Sequence, residues 1–242
     1  LRRQRQMCIR DSTETDGDME AAVDVLRKSG AAKVEKKAGR IAAEGITRVA
    51  SEGNTAVVVE VNSETDFVAK NATFQEFVQA VADKALKASV DKAGDGEDVC
   101  AILDMQSELE EKTLTIGEKL SIRRFQKITG DCVASYIHGG GRIGVLIEAD
   151  TDVINDEIKA CLKNVAMQVA AMSPKYVSRD EVAADYLEHE KEILLAQAKI
   201  ENPEKPDNII EKMIIGRLNK ELKEICLLDQ VYVKAEDGKQ NV

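Results

Sequence analysis

The chain alternates between short runs of β-branched apolar residues and longer runs in which apolar residues recur every three or four positions. Runs of the first kind are typical of strands, and runs of the second kind are typical of amphipathic helices. Predicted strands cover residues 46–50, 55–61, 120–128, 132–137 and 143–149. Because residues 56–59 are apolar at every position, the second strand is expected to be central in its sheet and covered on both faces or nearly so.

The helical runs carry recognisable start and stop signals. Predicted helices cover residues 19–28, 73–88, 107–114, 158–169, 178–199 and 207–224. Two of them begin with a capping-box pattern, which pairs Thr73 with Glu76 and Ser178 with Glu181. The last two helices are separated by a short segment with two prolines, which predicts an antiparallel helical hairpin.

Two segments of the chain resemble each other. The sequence GNTAVVVEVN at residues 53–62, followed by Thr65 and Asp66, parallels GRIGVLIEAD at residues 141–150, followed by Thr151 and Asp152. In each copy a hairpin strand is expected to lead through a polar corner into a long helix. The whole pattern predicts an α+β fold with a small N-terminal helical segment, a duplicated antiparallel-sheet-plus-helix core and an inserted antiparallel helical hairpin.

The composition narrows the classes of function. With 242 residues, 43% of them apolar, the chain can bury a substantial core, which must consist mainly of Val, Ile, Leu and Ala because only 3% of residues are aromatic. A net charge of −10 argues against a protein that binds nucleic acid through its phosphates, so a protein partner or a small ligand is expected. No run approaches the roughly 18 apolar residues of a membrane helix, and the protein is expected to be soluble and cytoplasmic.

The cysteines and histidines do not form a recognisable metal or redox motif. The five cysteines are Cys8, Cys100, Cys132, Cys161 and Cys226. They include no C-x-x-C pair, and His138 and His189 are the only histidines, so no tetrahedral metal set is expected. Their irregular spacing predicts reduced thiols, several of them in the core.

Residues 65–71, with the sequence TDFVAKN, connect the predicted central strand to the helix that follows it. Phe67 stands among polar residues, next to the carboxylate of Asp66, at a corner where a rigid base can present side chains to a partner. Composition alone favours a simpler interpretation, in which Asp66 begins the helix and Phe67 packs onto its first turn. In the alternative interpretation the acid and the ring bind another protein, which requires the ring to be accessible.

Residues 138–144, with the sequence HGGGRIG, form a second candidate site. They match the dinucleotide-binding pattern G-x-G-x-x-G, but that motif requires a following helix, and a strand is predicted here. They also match an esterase oxyanion loop, but the chain has no G-x-S-x-G motif. The favoured interpretation is a glycine hairpin turn that leaves His138 at a sheet edge, either satisfied locally or as a contact for a partner.

The sequence TDFVAKN in its strand-to-helix setting resembles the signature of the elongation factor Ts family, which comprises exchange factors for the translational GTPase elongation factor Tu. The resemblance covers roughly residues 19–234. Residues 19–30 are similar to the last helix of the family's small N-terminal domain, and residues 31–44 to its linker. The hairpin resembles the family's coiled-coil or dimerisation module, and residues 226–234 resemble its return strand. The family's first helix and a further C-terminal helix have no counterpart here.

The resemblance and the internal repeat together imply a division of the chain. Residues 1–12 are expected to be a non-native or disordered leader, 13–44 a remnant of the N-terminal helical domain with its linker helix, 45–119 the first core subdomain, 120–178 together with 225–234 the second core subdomain, 179–224 the helical hairpin, and 235–242 a tail.

The resemblance implies a guanine nucleotide exchange factor that binds elongation factor Tu and promotes GDP release, without covalent chemistry, catalytic residues, cofactors or metals. The residues implied to disturb the magnesium site of the GTPase are Thr65, Asp66, Phe67, Val68, Lys70 and Asn71. Those implied to form a second contact are His138, Gly139 and Gly140. Phe67 would be a wedge that displaces a helix of the GTPase, and Asp66 would position the corner or compete in the surroundings of the ion.

Two further expectations concern assembly. The hairpin at residues 180–224 is expected to be able to form a homodimer, and no nucleic acid or membrane partner is expected. The alternative function is that of a structural or adaptor protein, which assembles through the hairpin, has no exchange activity and uses the corner for packing alone.

Overall fold

The computed structural model describes residue 34 and residues 36–94, 96–236 and 238–242. The chain divides into two compact units between Ile154 and Asn155. The predicted leader at residues 1–12 and the predicted helix at residues 19–28 lie outside the described residues. Within the proposed linker, residues 36–38 are helical, and the first strand begins at Glu44.

After the linker, the described part of the first unit contains two antiparallel sheets and four helices. The strands are β1 (Glu44–Glu52), β2 (Thr55–Ser63), β3 (Lys92–Ala93), β4 (Ser121–Thr129), β5 (Cys132–His138) and β6 (Ile143–Ala149). The helices are α1 (Asp66–Ala69), α2 (Ala72–Leu86), α3 (Val99–Ile102) and α4 (Gln106–Ile116). One sheet has the strand order β1-β2-β4-β3, and the other pairs β5 with β6. The predicted α+β class is therefore confirmed.

β2 is central, as its sequence predicts, because it lies between β1 and β4. Val57, Val59 and Val61 are at most 1% exposed and share one core with Phe74 and Val78 of α2. The other residues of β2 are buried or half-buried. Burying one such side chain contributes roughly 1.5–3 kcal/mol relative to leaving it in water, so the contact of β2 with α2 is a major source of stability.

The start of α2 differs from the prediction. The N-cap is Asn71, whose side-chain oxygen accepts hydrogen bonds from the backbone N–H groups of Thr73 at 2.8 Å and Phe74 at 3.4 Å. The predicted capping box of Thr73 and Glu76 is wrong, because the helix already begins at Ala72 and Thr73 is its second residue. Asparagine is at least as good an N-cap as threonine, so the helix begins after Asn71 and not after Thr73.

β4 pairs with β2 in the four-stranded sheet, with Phe125 opposite Val59. Phe125 is 3% exposed and belongs to the same core as α2. The proposed division between subdomains at residues 119 and 120 stays a prediction, although the strand after it hydrogen-bonds to the strand before it.

The second unit consists mainly of three long helices. They are α5 (Asp156–Met172), α6 (Ala184–Glu201) and α7 (Asp207–Ile225). Between α5 and α6 lies one turn of 3₁₀ helix, Arg179–Glu181. α6 and α7 form the predicted antiparallel hairpin, and apolar residues between them are buried, among them Ala198, Ile210 and Ile214.

The start of α6 also differs from the prediction. Ser178 makes no side-chain cap, and the Glu181 carboxylate accepts the backbone N–H of Val177 at 2.9 Å. Val182 is then extended, with φ −76° and ψ 116°, so the α-helix begins only at Ala184. The predicted capping box of Ser178 and Glu181 therefore closes a turn and does not begin the helix.

The predicted return strand at residues 226–234 is wrong. The segment begins with a 3₁₀ turn, Leu227–Asp229, and makes only isolated β-bridges. Two buried glutamines explain this: Gln168 donates from Nε2 to Gln230 Oε1 and to the Val231 carbonyl, both at 3.1 Å, and its Oε1 accepts the N–H of Val233 at 2.8 Å. A side chain thus takes over the backbone partners that a neighbouring strand would supply.

Candidate partner-binding site

Phe67 is exposed at the corner between β2 and α2. Its exposed fraction is 79%, whereas the neighbouring Val68 is 9% exposed and packs into the core. The ring therefore does not pack onto the helix as a staple. An exposed phenylalanine forgoes the burial of roughly 150–250 Å² that an aromatic side chain can contribute, and that area is available to a partner. The ring is therefore accessible, as partner binding requires. The binding itself stays a prediction.

The corner is built from one helical turn followed by a fresh helix start. Thr65 is extended, with φ −125° and ψ 155°, and precedes α1. The N–H of Lys70 donates to the Phe67 carbonyl at 3.2 Å and that of Asn71 to the Val68 carbonyl at 2.9 Å, which ends the turn. Asn71 then caps α2. The sequence thus fixes the backbone on both sides of Phe67.

The charges at the corner are exposed. Lys70 Nζ lies 3.1 Å from Asp66 Oδ2, in an i, i+4 pair. Such an exposed pair contributes only about 0.3–0.5 kcal/mol, so a partner can separate the two charges at little cost. The Asp66 carboxylate is accordingly available to a cation or a hydrogen-bond donor of another molecule.

Glu64 and Glu118 hold the base of the corner, and sequence analysis missed both. Glu118 accepts hydrogen bonds from Glu64 and Thr65, and Glu64 accepts the N–H of Lys119. That backbone hydrogen bond, with a smaller contribution from Arg40, lowers the pKa of the Glu64 carboxyl below its usual range. The two carboxylates are 54 residues apart in the sequence, and no local pattern signals their contact.

His138 ends β5 and begins the glycine turn. Its Nδ1 lies 3.0 Å from the Tyr136 hydroxyl, and its side chain is exposed. The three glycines that follow all have positive φ, with 59° at Gly139, 70° at Gly140 and 104° at Gly141. The histidine thus has a local partner and is also accessible, which agrees with either interpretation of its role.

The glycine turn is fastened to β1. The Gly141 carbonyl accepts both the N–H of Thr47 at 2.6 Å and its hydroxyl at 2.9 Å. After the turn the chain continues as β6. The G-x-G-x-x-G pattern therefore lacks the helix N-terminus that a dinucleotide site requires. The turn and the corner belong to the same unit, since β1 also pairs with β2.

The described residues offer little to a metal ion or to thiol chemistry. Among them no group of three or more His, Cys, Asp or Glu side chains is arranged to hold a metal. Cys100, Cys132 and Cys226 are buried and Cys161 is exposed, and all four are free thiols. Burial raises the pKa of Cys100 to about 11, so this thiol is not a nucleophile near neutral pH. In the same part of the chain, no helix combines the length and apolar character needed to cross a membrane.

Comparisons with known proteins give the family. The family model described as Elongation factor TS matches residues 64–242, which include the corner and the glycine turn. The elongation factor Ts of Clostridioides difficile is 51% identical over 241 residues, covering 95% of this chain and 77% of the relative. The elongation factor Ts of Trichlorobacter lovleyi is 49% identical over 247 residues, with the same shares covered. This chain belongs to the elongation factor Ts family.

Proposed function

We propose that this protein is a guanine nucleotide exchange factor that binds elongation factor Tu and promotes the release of GDP in the cytoplasm. The observation that carries the proposal is the exposure of Phe67. The other three phenylalanines, Phe74, Phe77 and Phe125, are at most 3% exposed, whereas Phe67 is 79% exposed. A ring kept in water on a rigid corner is suited to burial in a partner.

The ring would act as the anchor of the interface. Interface energy is concentrated in a few residues, often aromatic, that fill a pocket and exclude water. In this proposal Phe67 wedges against a helix of the GTPase. Asp66, released from its weak pair with Lys70, adds negative charge near the magnesium ion and weakens the hold of the GTPase on the ion and the phosphates. Thr65, Val68 and Asn71 keep the backbone of the corner in place.

The glycine turn would provide a second contact with the same GTPase. His138, Gly139 and Gly140 are all exposed, and the Gly141 carbonyl is bound to β1 by two hydrogen bonds. β1 pairs along its length with β2, which leads directly into the corner. Backbone hydrogen bonds thus connect the turn to the strand that leads into the corner, which supports two contacts that act together on one partner.

Exchange of this kind needs no covalent chemistry. A protein that prefers the nucleotide-free GTPase weakens the binding of the nucleotide. The nucleotide weakens the binding of that protein by the same factor. A ten-thousandfold effect requires about 5.5 kcal/mol of differential binding. One buried aromatic anchor can contribute about 2 kcal/mol or more of it.

The test is the release of fluorescently labelled GDP from elongation factor Tu in the presence of this protein. Wild type is expected to accelerate release, and Phe67→Ala is expected to reduce the acceleration by roughly 30-fold, the equivalent of about 2 kcal/mol. Ile41→Ala is the matched control, because Ile41 is 83% exposed in the same unit and is outside the proposed contacts. Unchanged release with folded wild type would contradict the proposal.

A second candidate function is assembly through the helical hairpin. A groove of about 590 Å³ runs along α6 and α7, lined by apolar residues such as Leu195, Ile214 and Leu218 and by charged residues at its rim. A homodimer through residues 180–224 would fill it. Co-purification separates the two functions: an adaptor dimerises and ignores nucleotide, whereas an exchange factor forms a complex that GDP with magnesium dissociates.

A further inference from the structure

A side chain from a distant part of the chain holds the backbone that leads into the corner, together with the nearby Ser63, whose hydroxyl donates to the Thr65 carbonyl at 3.0 Å. Glu118 lies between α4 and β4. Its Oε2 accepts the N–H of Glu64 at 3.1 Å and the N–H of Thr65 at 3.0 Å, and its Oε1 accepts the Thr65 hydroxyl at 2.7 Å. Hydrogen bonds to a carboxylate are about twice as strong as those between neutral groups. Three of them therefore fix the two residues that precede α1.

Glu64, at the corner, in turn binds the backbone next to Glu118. Glu64 Oε1 accepts the N–H of Lys119 at 2.5 Å, and Glu64 pairs with Arg40 at 3.3 Å. Lys119 in turn donates from Nζ to the carbonyls of Ala38 and Arg40, at 2.5 and 2.9 Å. Each glutamate thus binds the backbone next to the other, and the segment before β1 is tied to the same point.

The direction of the Phe67 ring depends on the backbone that carries it. The ring is 79% exposed, and no described ring or cation lies against it. Its orientation is set by the backbone of α1, which Val68 anchors to the core on one side and Thr65 anchors to Glu118 on the other. Without Glu118, the N–H groups of Glu64 and Thr65 lose their acceptor. They would then hydrogen-bond to water, and this part of the backbone could adopt other conformations.

We propose that Glu118 is a positioning residue for nucleotide exchange: it holds the backbone of Glu64 and Thr65 so that Phe67 is presented to the GTPase in one orientation. The inference rests on the proposed function and extends it to a residue outside both predicted contacts. Glu118 would act in the free protein, before the GTPase binds. Its loss therefore lowers the fraction of molecules that are competent to bind, which weakens the apparent affinity for the GTPase. Loss of Phe67 instead removes the wedge and lowers the maximal release rate.

Two substitutions at this position separate geometry from charge. Glu118→Ala removes all three hydrogen bonds. Glu118→Gln keeps them, because the amide oxygen can accept both N–H groups while the amide NH₂ donates to the Thr65 hydroxyl, which then acts as acceptor. Thr65→Val is a milder variant that removes only the hydroxyl contact. Glu111→Ala is the matched control, since Glu111 lies on α4 and its exposed carboxylate pairs, among the described residues, with neighbouring Lys112.

The first measurement is GDP release from elongation factor Tu at increasing concentrations of each variant. Glu118→Ala is expected to raise the half-saturating concentration about tenfold, with little change in the maximal rate. Glu111→Ala is expected to match wild type. Glu118→Gln, which keeps the three contacts without the charge, and Thr65→Val, which loses one of them, are expected to fall between wild type and Glu118→Ala. An unchanged half-saturating concentration in Glu118→Ala, or a Glu118→Gln variant as defective as Glu118→Ala, would overturn the proposal.

The second measurement is amide hydrogen exchange of the protein alone, which needs no partner. In Glu118→Ala the amides of Glu64 and Thr65 are expected to exchange about tenfold faster or more, while those within α2 keep their protection. Loss of protection throughout α2 would make Glu118 a residue of general stability and overturn the positioning role. If wild type itself fails to accelerate GDP release, the proposed function fails, whereas unchanged exchange at Glu64 and Thr65 refutes the positioning by Glu118.

Discussion

Phe67 and Val68 are neighbours in the single turn of α1, and the burial of one determines the exposure of the other. Consecutive residues of a helix point about 100° apart. When Val68 enters the core, the ring of Phe67 is therefore directed away from it. The accessibility of the ring follows from the backbone of α1, and a change to Phe67 alone leaves that backbone intact.

The first prediction compares the stability of two adjacent variants. Val68→Ala is expected to lower the free energy of unfolding by about 1–2.5 kcal/mol, because it removes buried methyl groups and leaves a cavity. Phe67→Ala is expected to change it by less than about 0.5 kcal/mol, because the ring makes no buried contact. Urea denaturation measures both. Equal destabilisation by the two variants would mean that the ring contributes to the core, contrary to its observed exposure.

At the scale of elements, the local sequence pattern was sufficient to predict α2 and β2. The continuous apolar run that contains Val57 and Val59 predicted β2, and the helical spacing of Phe74 and Val78 predicted α2, because these residues form the core. The exact starts of α2 and α6 were not predictable in the same way. Asn71 and Thr73 are both acceptable N-caps, and only the geometry of the corner decides between them.

The segment after α7 and the base of the corner depend on contacts between distant residues, which no local sequence pattern predicts. The segment after α7 has the β-rich composition of a strand, but Gln168 binds its backbone from a position about 65 residues earlier. Glu118 and Glu64 meet over a similar separation. Polar side chains that bind distant backbone carry no periodic signal, so the hydrogen bonds that hold the corner could be found only in the structure.

The glycine turn gives the second prediction, at the scale of the hairpin β5-β6. A Cβ on Gly141 would lie 2.9 Å from Ile46 Cβ and 3.1 Å from the Thr47 carbonyl oxygen, at a φ of 104°. A Cβ on Gly140, at φ 70°, would meet nothing within 4 Å. Both substitutions carry backbone strain, but only Gly141→Ala also forces the turn away from β1.

Gly141→Ala is therefore expected to be less stable than Gly140→Ala by about 1–3 kcal/mol. Thermal unfolding of the two variants checks the difference. Gly141→Ala should also change the chemical shifts of Ile46 and Thr47, whereas Gly140→Ala should leave them unchanged. Equal stability of the two variants would show that the turn is not held against β1.

For the whole molecule, the two candidate functions belong to different units. The corner and the glycine turn lie in the unit that ends at Ile154, and the hairpin lies in the unit that begins at Asn155. Substitutions in one unit can therefore test nucleotide exchange without altering the groove along α6 and α7. We therefore expect separate variants to remove the proposed exchange activity and the proposed assembly one at a time.

The last prediction follows from thermodynamic linkage between the protein and the nucleotide. The factor by which saturating protein weakens GDP binding to elongation factor Tu must equal the factor by which saturating GDP weakens binding of the protein. Titration calorimetry or fluorescence measures the four dissociation constants. Phe67→Ala is expected to reduce both factors equally, because the ring would contribute to the preference for the nucleotide-free state, and Ile41→Ala should change neither. A protein that only assembles through its hairpin has no differential affinity for the two states of the GTPase, so both factors would be one. That result, obtained with folded protein, would reject exchange whatever the exposure of the ring.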